Sequence, residues 1–188
     1  MKSLIFVVFA ILLCNCSGPS QVTLTYYNSN SPEEQQLFID SANKFNQLVG
    51  CEAVKLKHVD TDRTAKFEDG VQEIQIIESA DLQLIAAKTA AAHEVDSVAA
   101  LTFVADGDVV LARDDLTTEC YYMYDNKCVY NKGEIFFFHE LGHVFGLLHD
   151  EKESDIMAKA VSGKHTMYDF IDFINRLHQQ TNVCKGVK

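Results

Sequence analysis

The chain of 188 residues has no tryptophan, only two prolines and only nine glycines. It therefore carries no low-complexity tract, and no internal repeat is visible. Positive charge is scarce: 16 Lys and Arg stand against 27 Asp and Glu, for a formal net charge of −11. Such a surface repels nucleic-acid phosphates and anionic lipid head groups, which sets DNA and RNA binding aside and leaves solubility as the plain reading of the acidity. Long apolar runs are missing too. The one unbroken run, Leu4–Leu13, is shorter than the roughly 20 residues a spanning helix needs. With Lys2 before it and Ser17-Gly18-Pro19-Ser20 after it, the run has the form of an export signal. The remainder is long enough for one domain, and an apolar share of 47% is enough to bury a core.

Periodicity divides that remainder into helices and strands. Val22–Tyr27 is β-branched and aromatic and reads as a strand. Ser31-Pro32-Glu33-Glu34 is a helix start, with Ser31 as cap, Pro32 at the first helical position and Glu34 completing a capping box. Leu37, Phe38, Ala42, Phe45 and Leu48 follow at helical spacing, and Gly50 ends the run. Ala53–Val59, Ile74–Ile77 and Ala80–Ala87 read as further strands, and Lys88–Asp96 as a loop or short helix. Val98–Val104 and Asp108–Ala112 read as strands joined at Asp106-Gly107, a hairpin turn pair. Helices are expected at Gly133–Leu147 and at Thr166–Gln180, the latter with Met167, Phe170, Ile171, Ile174 and Leu177 on one face. Strands clustered between helices indicate an α+β fold.

There are six cysteines: Cys14, Cys16, Cys51, Cys120, Cys128 and Cys184. The four beyond Cys16 are an even number suited to disulfides outside the cytosol. Cys120 and Cys128 flank Tyr121–Lys127, which a disulfide would staple as a hairpin, leaving Cys51 and Cys184 for a second bridge. Four cysteines permit three pairings, and spacing does not choose among them. The segment Leu13-Cys14-Asn15-Cys16 resembles the lipobox of bacterial lipoproteins, in which a Cys becomes the lipidated first residue. Asn15 departs from the small residue usual there. The resemblance implies a lipid on Cys16 and a membrane tether; the simpler alternative is an ordinary signal peptide and release.

The chemistry is concentrated in His139-Glu140-Leu141-Gly142-His143-Val144-Phe145-Gly146-Leu147-Leu148-His149-Asp150. On a helix, His139 and His143 are four apart and share a face. Zinc favours such nitrogen ligands, and a catalytic site takes three of them and leaves one position open. Gly146 can adopt the left-handed angles that stop a helix and turn the chain, bringing His149 back as the third ligand. Glu140 sits beside the first ligand, where it can lean toward a water. The apolar Ile135-Phe136-Phe137-Phe138 before it suits a buried helix. Asp150 is of the right type for a fourth ligand and a closed structural site, but it directly follows His149, which disfavours both binding one ion.

This pattern resembles the extended zinc signature of metzincin peptidases. Met157, eight residues after His149 in Ser154-Asp155-Ile156-Met157, resembles the methionine that lies beneath the zinc in that clan, at the interval of the matrixins. The resemblance implies a zincin-like fold, with a twisted mixed sheet packed on the active-site helix and a C-terminal helix after it. It implies a zinc-dependent endopeptidase with one catalytic Zn2+ on His139, His143 and His149, Glu140 as general base, and Gly146 and Met157 as structural support. By order along the chain, Val98–Val104 matches the edge strand and Gly107–Asp114 the strand after it. The expected organisation is an export signal over 1–16, a linker over 17–21 and a catalytic domain over 22–188. A monomer acting on protein or peptide substrates is expected, secreted or held at the cell envelope.

The chain also departs from matrixins. His93 stands alone and Leu101 occupies a place where a histidine is expected, so a second, structural zinc is not expected. Asp106, Asp108, Asp114 and Asp115 offer oxygen ligands of the kind calcium takes, making Ca2+ a second candidate ion. No cysteine-switch segment is recognisable. The proline and tyrosine common after the matrixin methionine are replaced by Lys159 and Ala160, so substrate preference does not carry over. The competing reading is a catalytically inactive zinc-binding module in the envelope or outside the cell, against which Glu140 argues, since binding alone has no use for that carboxylate.

Overall fold

The structure, a computed structural model, describes residues 18–62, 71–89, 100–103, 107–113, 116, 119–150, 156–158 and 165–187. Among them are seven strands and four helices: β1 (Val22–Tyr27), α1 (Pro32–Val49), β2 (Val54–Val59), β3 (Ile74–Ile77), α2 (Ser79–Thr89), β4 (Ala100–Phe103), β5 (Asp108–Ala112), β6 (Cys120–Tyr124), β7 (Lys127–Asn131), α3 (Lys132–Val144) and α4 (Met167–Gln180). The class is α+β.

The sheet is mixed. β1 pairs with β2 in parallel, and β5 lies between a parallel β3 and an antiparallel β4. A parallel bridge between Thr25 and Glu73, with Thr25 N–H donating to Gln72 O at 2.8 Å, joins the two parts. The order is thus β2-β1-β3-β5-β4, with β4 at one end. Ile74, Val109 and Leu111 on one side of this sheet are fully buried, as strands covered by helices must be.

Local sequence explains α1. Ser31 takes the Glu34 N–H and Glu34 returns a bond to the Ser31 N–H at 2.7 Å, while Gly50 closes the helix at φ +78°. Phe38, Ala42, Phe45 and Val49 line its buried stripe. α3 begins on the same device, with Asn131 as cap and Glu134 as its partner. Glu134 also accepts from Lys44 of α1 at 2.6 Å, tying the two helices together. Ile135 to Gly142 of α3 are all buried, and a helix apolar all round belongs in the middle of a core. Phe45 stacks on Phe145 with ring centroids 5.8 Å apart, is equally close to Phe138, and meets Phe173 of α4 at 6.4 Å. One aromatic cluster therefore holds α1, α3 and α4.

Ala80–Ala87, read above as a strand, lies within the helix α2. Its residues are mostly strong helix formers, Asp81 favours a first turn, and both the Asp81 and Leu82 N–H groups bond back to Glu78 O. Leu82 is fully buried and Leu84 is 55% exposed; a short apolar run has no period that separates the two states. In α4 the buried stripe is Phe170, Phe173 and Leu177, while Met167 and Ile171 face solvent. The apolar residues of α4 fit two adjacent faces, and only the Phe173 face meets α1 and α3.

β6 and β7 form a hairpin through Asp125-Asn126, both at positive φ (49° and 58°), as a two-residue turn of type I′ requires. Cys120 is bonded to Cys128 across it, and Cys51 to Cys184 between the end of α1 and the C-terminal segment. Among the described residues no helix is long and apolar enough to cross a membrane. The export signal, Cys16, the remainder of Lys88–Asp96 beyond α2, His93, Asp106, Asp114, Asp115, Lys159 and Ala160 lie outside the described residues. Asp108, the one calcium candidate within them, is fully buried and accepts the Glu73 N–H at 2.8 Å, a bond that ties β5 to the β3 end.

Candidate metal centre

α3 carries His139 and His143 on one face, as their spacing requires. The helix stops where the glycine allows. Gly146 sits at φ +99°, its N–H donates to His143 O at 2.9 Å, and the Leu147 N–H donates to Gly142 O at 2.8 Å. These two bonds make a Schellman motif, and the chain beyond it returns His149 to the helix. The His143 Nε2 lies 3.2 Å from His139 Nε2 and 3.1 Å from His149 Nε2. All three ligand atoms fall within 4.8 Å of one another.

The opposite ring nitrogens settle the tautomers. His139 Nδ1 is 2.6 Å from Ile156 O and His143 Nδ1 is 2.8 Å from Leu147 O. A carbonyl only accepts, so each Nδ1 carries the hydrogen and, in the neutral ring, each Nε2 presents a lone pair. Burial pushes the His139 pKa down to about 4, helped by the neighbouring histidines and opposed by the Ile156 carbonyl. Burial also lowers that of His143. Lone pairs facing each other across such distances repel unless a cation lies between them. Nitrogens around a tetrahedral zinc, with bonds of about 2.0–2.1 Å, stand roughly 3.3 Å apart. The residues present fit zinc, with Nδ1 bound to a backbone carbonyl as is usual for a metal-ligating imidazole.

Glu140 is buried beside them. Its Oε1 lies 3.9 Å from His139 Nε2, and its Oε2 accepts from the Thr102 hydroxyl of β4 at 2.5 Å. One oxygen is thus held by the edge of the sheet and the other faces the imidazoles. Burial raises its pKa to about 7, against the lowering effect of the Thr102 bond. Beneath the centre, Met157 is fully buried against Gly142: a Cβ on Gly142 would overlap Met157 Sδ and meet Phe173 at 3.2 Å. The glycine inside the motif is therefore required for the methionine to approach. Asp150 points away from the ligands, with Oδ2 2.9 Å from Arg176 Nη1. It is engaged there, and no fourth protein ligand joins the three histidines among the described residues.

No family model and no curated protein matches the sequence. Solved structures similar to the chain include archaemetzincin from Methanopyrus kandleri, at 14% identity and a TM-score of 0.48, covering 85% of this chain and 97% of that one. A zinc-dependent peptidase from Methanocorpusculum labreanum is similar at 13% identity and a TM-score of 0.39, covering 88% and 97%. Likenesses of this size assign no role to a residue.

Sequence reasoning brought His139, Glu140, His143, Gly146, His149 and Met157 to one place, and the structure gathers them there. It missed Thr102, Gly142 and Arg176. Gly142 was visible as a small residue inside a helix of bulky ones. Thr102 and Arg176 reach the centre from distant elements, and nothing in their local sequence marks them.

Proposed function

We propose that the protein is a zinc-dependent endopeptidase whose catalytic domain covers residues 22–188. The observation that carries this reading is one arrangement: three histidines with Nε2 atoms converging and a buried carboxylate with one oxygen tethered and one facing them. A zinc ion held by His139, His143 and His149 would supply the Lewis acidity that makes water nucleophilic near neutral pH and polarises a peptide carbonyl. Glu140 takes the proton of the attacking water at its untethered oxygen and returns it to the leaving amine. Thr102 keeps the carboxylate in one orientation through the exchange, and Met157 supports the helix from below without chemistry. A site for binding alone would not place a buried carboxylate at its edge.

The two disulfides fit an oxidising compartment, which supports export under the signal over 1–16, with Cys16 as the lipid attachment point if the envelope is the destination. The matrixin-like interval from His149 to Met157 supports that branch of the metzincins, and peptides or proteins are the substrates it implies. The experiment is cleavage of a mixed peptide library by the zinc-loaded protein and by Glu140→Ala. The expected result is internal cleavage by the wild type and a loss of about a hundredfold to ten-thousandfold in the variant, the usual share of general base catalysis, with zinc still bound. Equal turnover by the two proteins would refute the role of Glu140, and no cleavage by either, with zinc bound, would favour a binding module.

A further inference from the structure

We propose that Arg176 is a positioning residue for the metal centre, clamping the residues on either side of His149 and so holding the third imidazole in place. This rests on the zinc-centre reading above. His139 and His143 ride on α3, and a backbone carbonyl pins each ring. His149 lies past the helix end, in a stretch without regular structure where Leu148 is 79% exposed. The Schellman turn aims the chain but does not fix a residue three positions further on. Two anchors do. On one side the Asp150 N–H donates to Met157 O at 2.8 Å, within a parallel bridge from Asp150 to Ala158. The other comes from α4. Arg176 Nη2 donates to Leu148 O at 3.1 Å, and Nη1 lies 2.9 Å from Asp150 Oδ2.

The guanidinium thus spans His149, with Nη2 donating a hydrogen bond to the carbonyl before it and Nη1 facing the carboxylate after it as an ion pair, outside hydrogen-bond alignment. A planar guanidinium keeps its two terminal nitrogens at a fixed spacing, which suits groups on either side of one residue; a lysine ammonium, with its donors on a flexible stem, imposes no such spacing. The Arg176 side chain is 14% exposed, so the pair is screened less than one on the open surface. The clamp makes metal affinity depend on a residue that does not touch the ion. Partners behind the ligands typically contribute ten- to hundredfold to metal affinity.

The test is zinc affinity by chelator competition on the full chain, beside the visible spectrum of the cobalt-loaded protein and the melting temperature of the metal-free protein. Arg176→Met is expected to weaken zinc binding by about ten- to hundredfold and to change the cobalt bands, which report ligand geometry. Arg176→Lys is expected to recover part of the loss. Asp150→Asn, which keeps the Leu148 bond, is expected to lose less than Arg176→Met, and the double variant less than the two losses combined. Zinc affinity within twofold of wild type in both Arg176 variants, with unchanged cobalt bands, would overturn the clamp whatever happens to the melting temperature. If Arg176→Met does not fold, Arg176→Lys and Asp150→Asn decide by the same readings. A wild type that binds no zinc would overturn both clamp and peptidase. Because the readout is affinity and not hydrolysis, the two readings otherwise fail independently.

Discussion

Glu140 is tethered at Oε2 by Thr102 and open at Oε1, so the tether should act on the chemical step and not on substrate binding. A hydrogen bond to a charged group contributes about 1.5–3 kcal/mol, which corresponds to roughly ten- to hundredfold in rate if it is felt only at the transition state. Thr102→Val, which keeps the shape and removes the hydroxyl, is expected to lower kcat by at least tenfold with KM little changed, and Thr102→Ser to restore most of it; steady-state kinetics on one cleaved peptide checks both. His139 makes a second prediction, for the metal-free protein. Its pKa falls from 6.5 to about 4 on folding, so between those values the unfolded chain takes up a proton that the folded protein refuses. The stabilising effect is complete above pH 6.5 and is lost as the pH falls toward 4, on the order of 3 kcal/mol over the window. Metal-free wild type should therefore lose more melting temperature between pH 7.5 and 5 than metal-free His139→Asn. The three histidines were legible as a group because a helix and one turn bring them together within a single short stretch of sequence. Thr102 and Arg176 act across tertiary contacts, from strand β4 and helix α4, and no local pattern records such a contact.

At the scale of elements, the site depends on how α3 ends. Gly146 holds φ +99°, a region that costs an L-residue about 1–2 kcal/mol. Gly146→Ala is expected to destabilise the protein by about that much and, because the turn aims His149, to weaken zinc binding as well. The zinc-loaded protein should then lose more melting temperature than the metal-free one; equal losses would show that the turn does not aim the ligand. α1 and the end of α3 were readable because caps and helix-stopping glycines are local chemistry, and the structure returns Ser31, Glu34, Gly50 and Gly146 in those roles. α2 was misread because its few apolar residues carry no period, and the buried face of α4 was blurred because Met167 and Ile171 are as apolar as the residues that pack. Which face is buried depends on the aromatic cluster around Phe45, a property of the assembly.

At the scale of the molecule, the strand order β2-β1-β3-β5-β4 is what the sequence conceals most, since pairing partners are set by contacts across the chain. That order places β4 at the sheet's end, over α3, where Thr102 meets Glu140. The disulfides act at this scale in unequal ways. Cys51–Cys184 closes a span of 133 residues and joins the end of α1 to the C-terminal segment, where the Cys184 N–H also bonds Ser20 O. Cys120–Cys128 closes only 8 residues, within a hairpin whose turn already sets its register. By chain entropy the long loop contributes about 5 kcal/mol and the short one about 2.5. Replacing Cys51 and Cys184 by alanine should therefore cost about twice as much stability as replacing Cys120 and Cys128, measured by denaturant unfolding of the zinc-loaded proteins. The metal centre lies in neither loop's closing contact, so zinc affinity should survive the loss of the hairpin bridge. A hairpin variant that unfolds as readily as the long-loop variant would mean that β6–β7 is held to α4, through Tyr122, Tyr130 and Phe170, only while the bridge is closed.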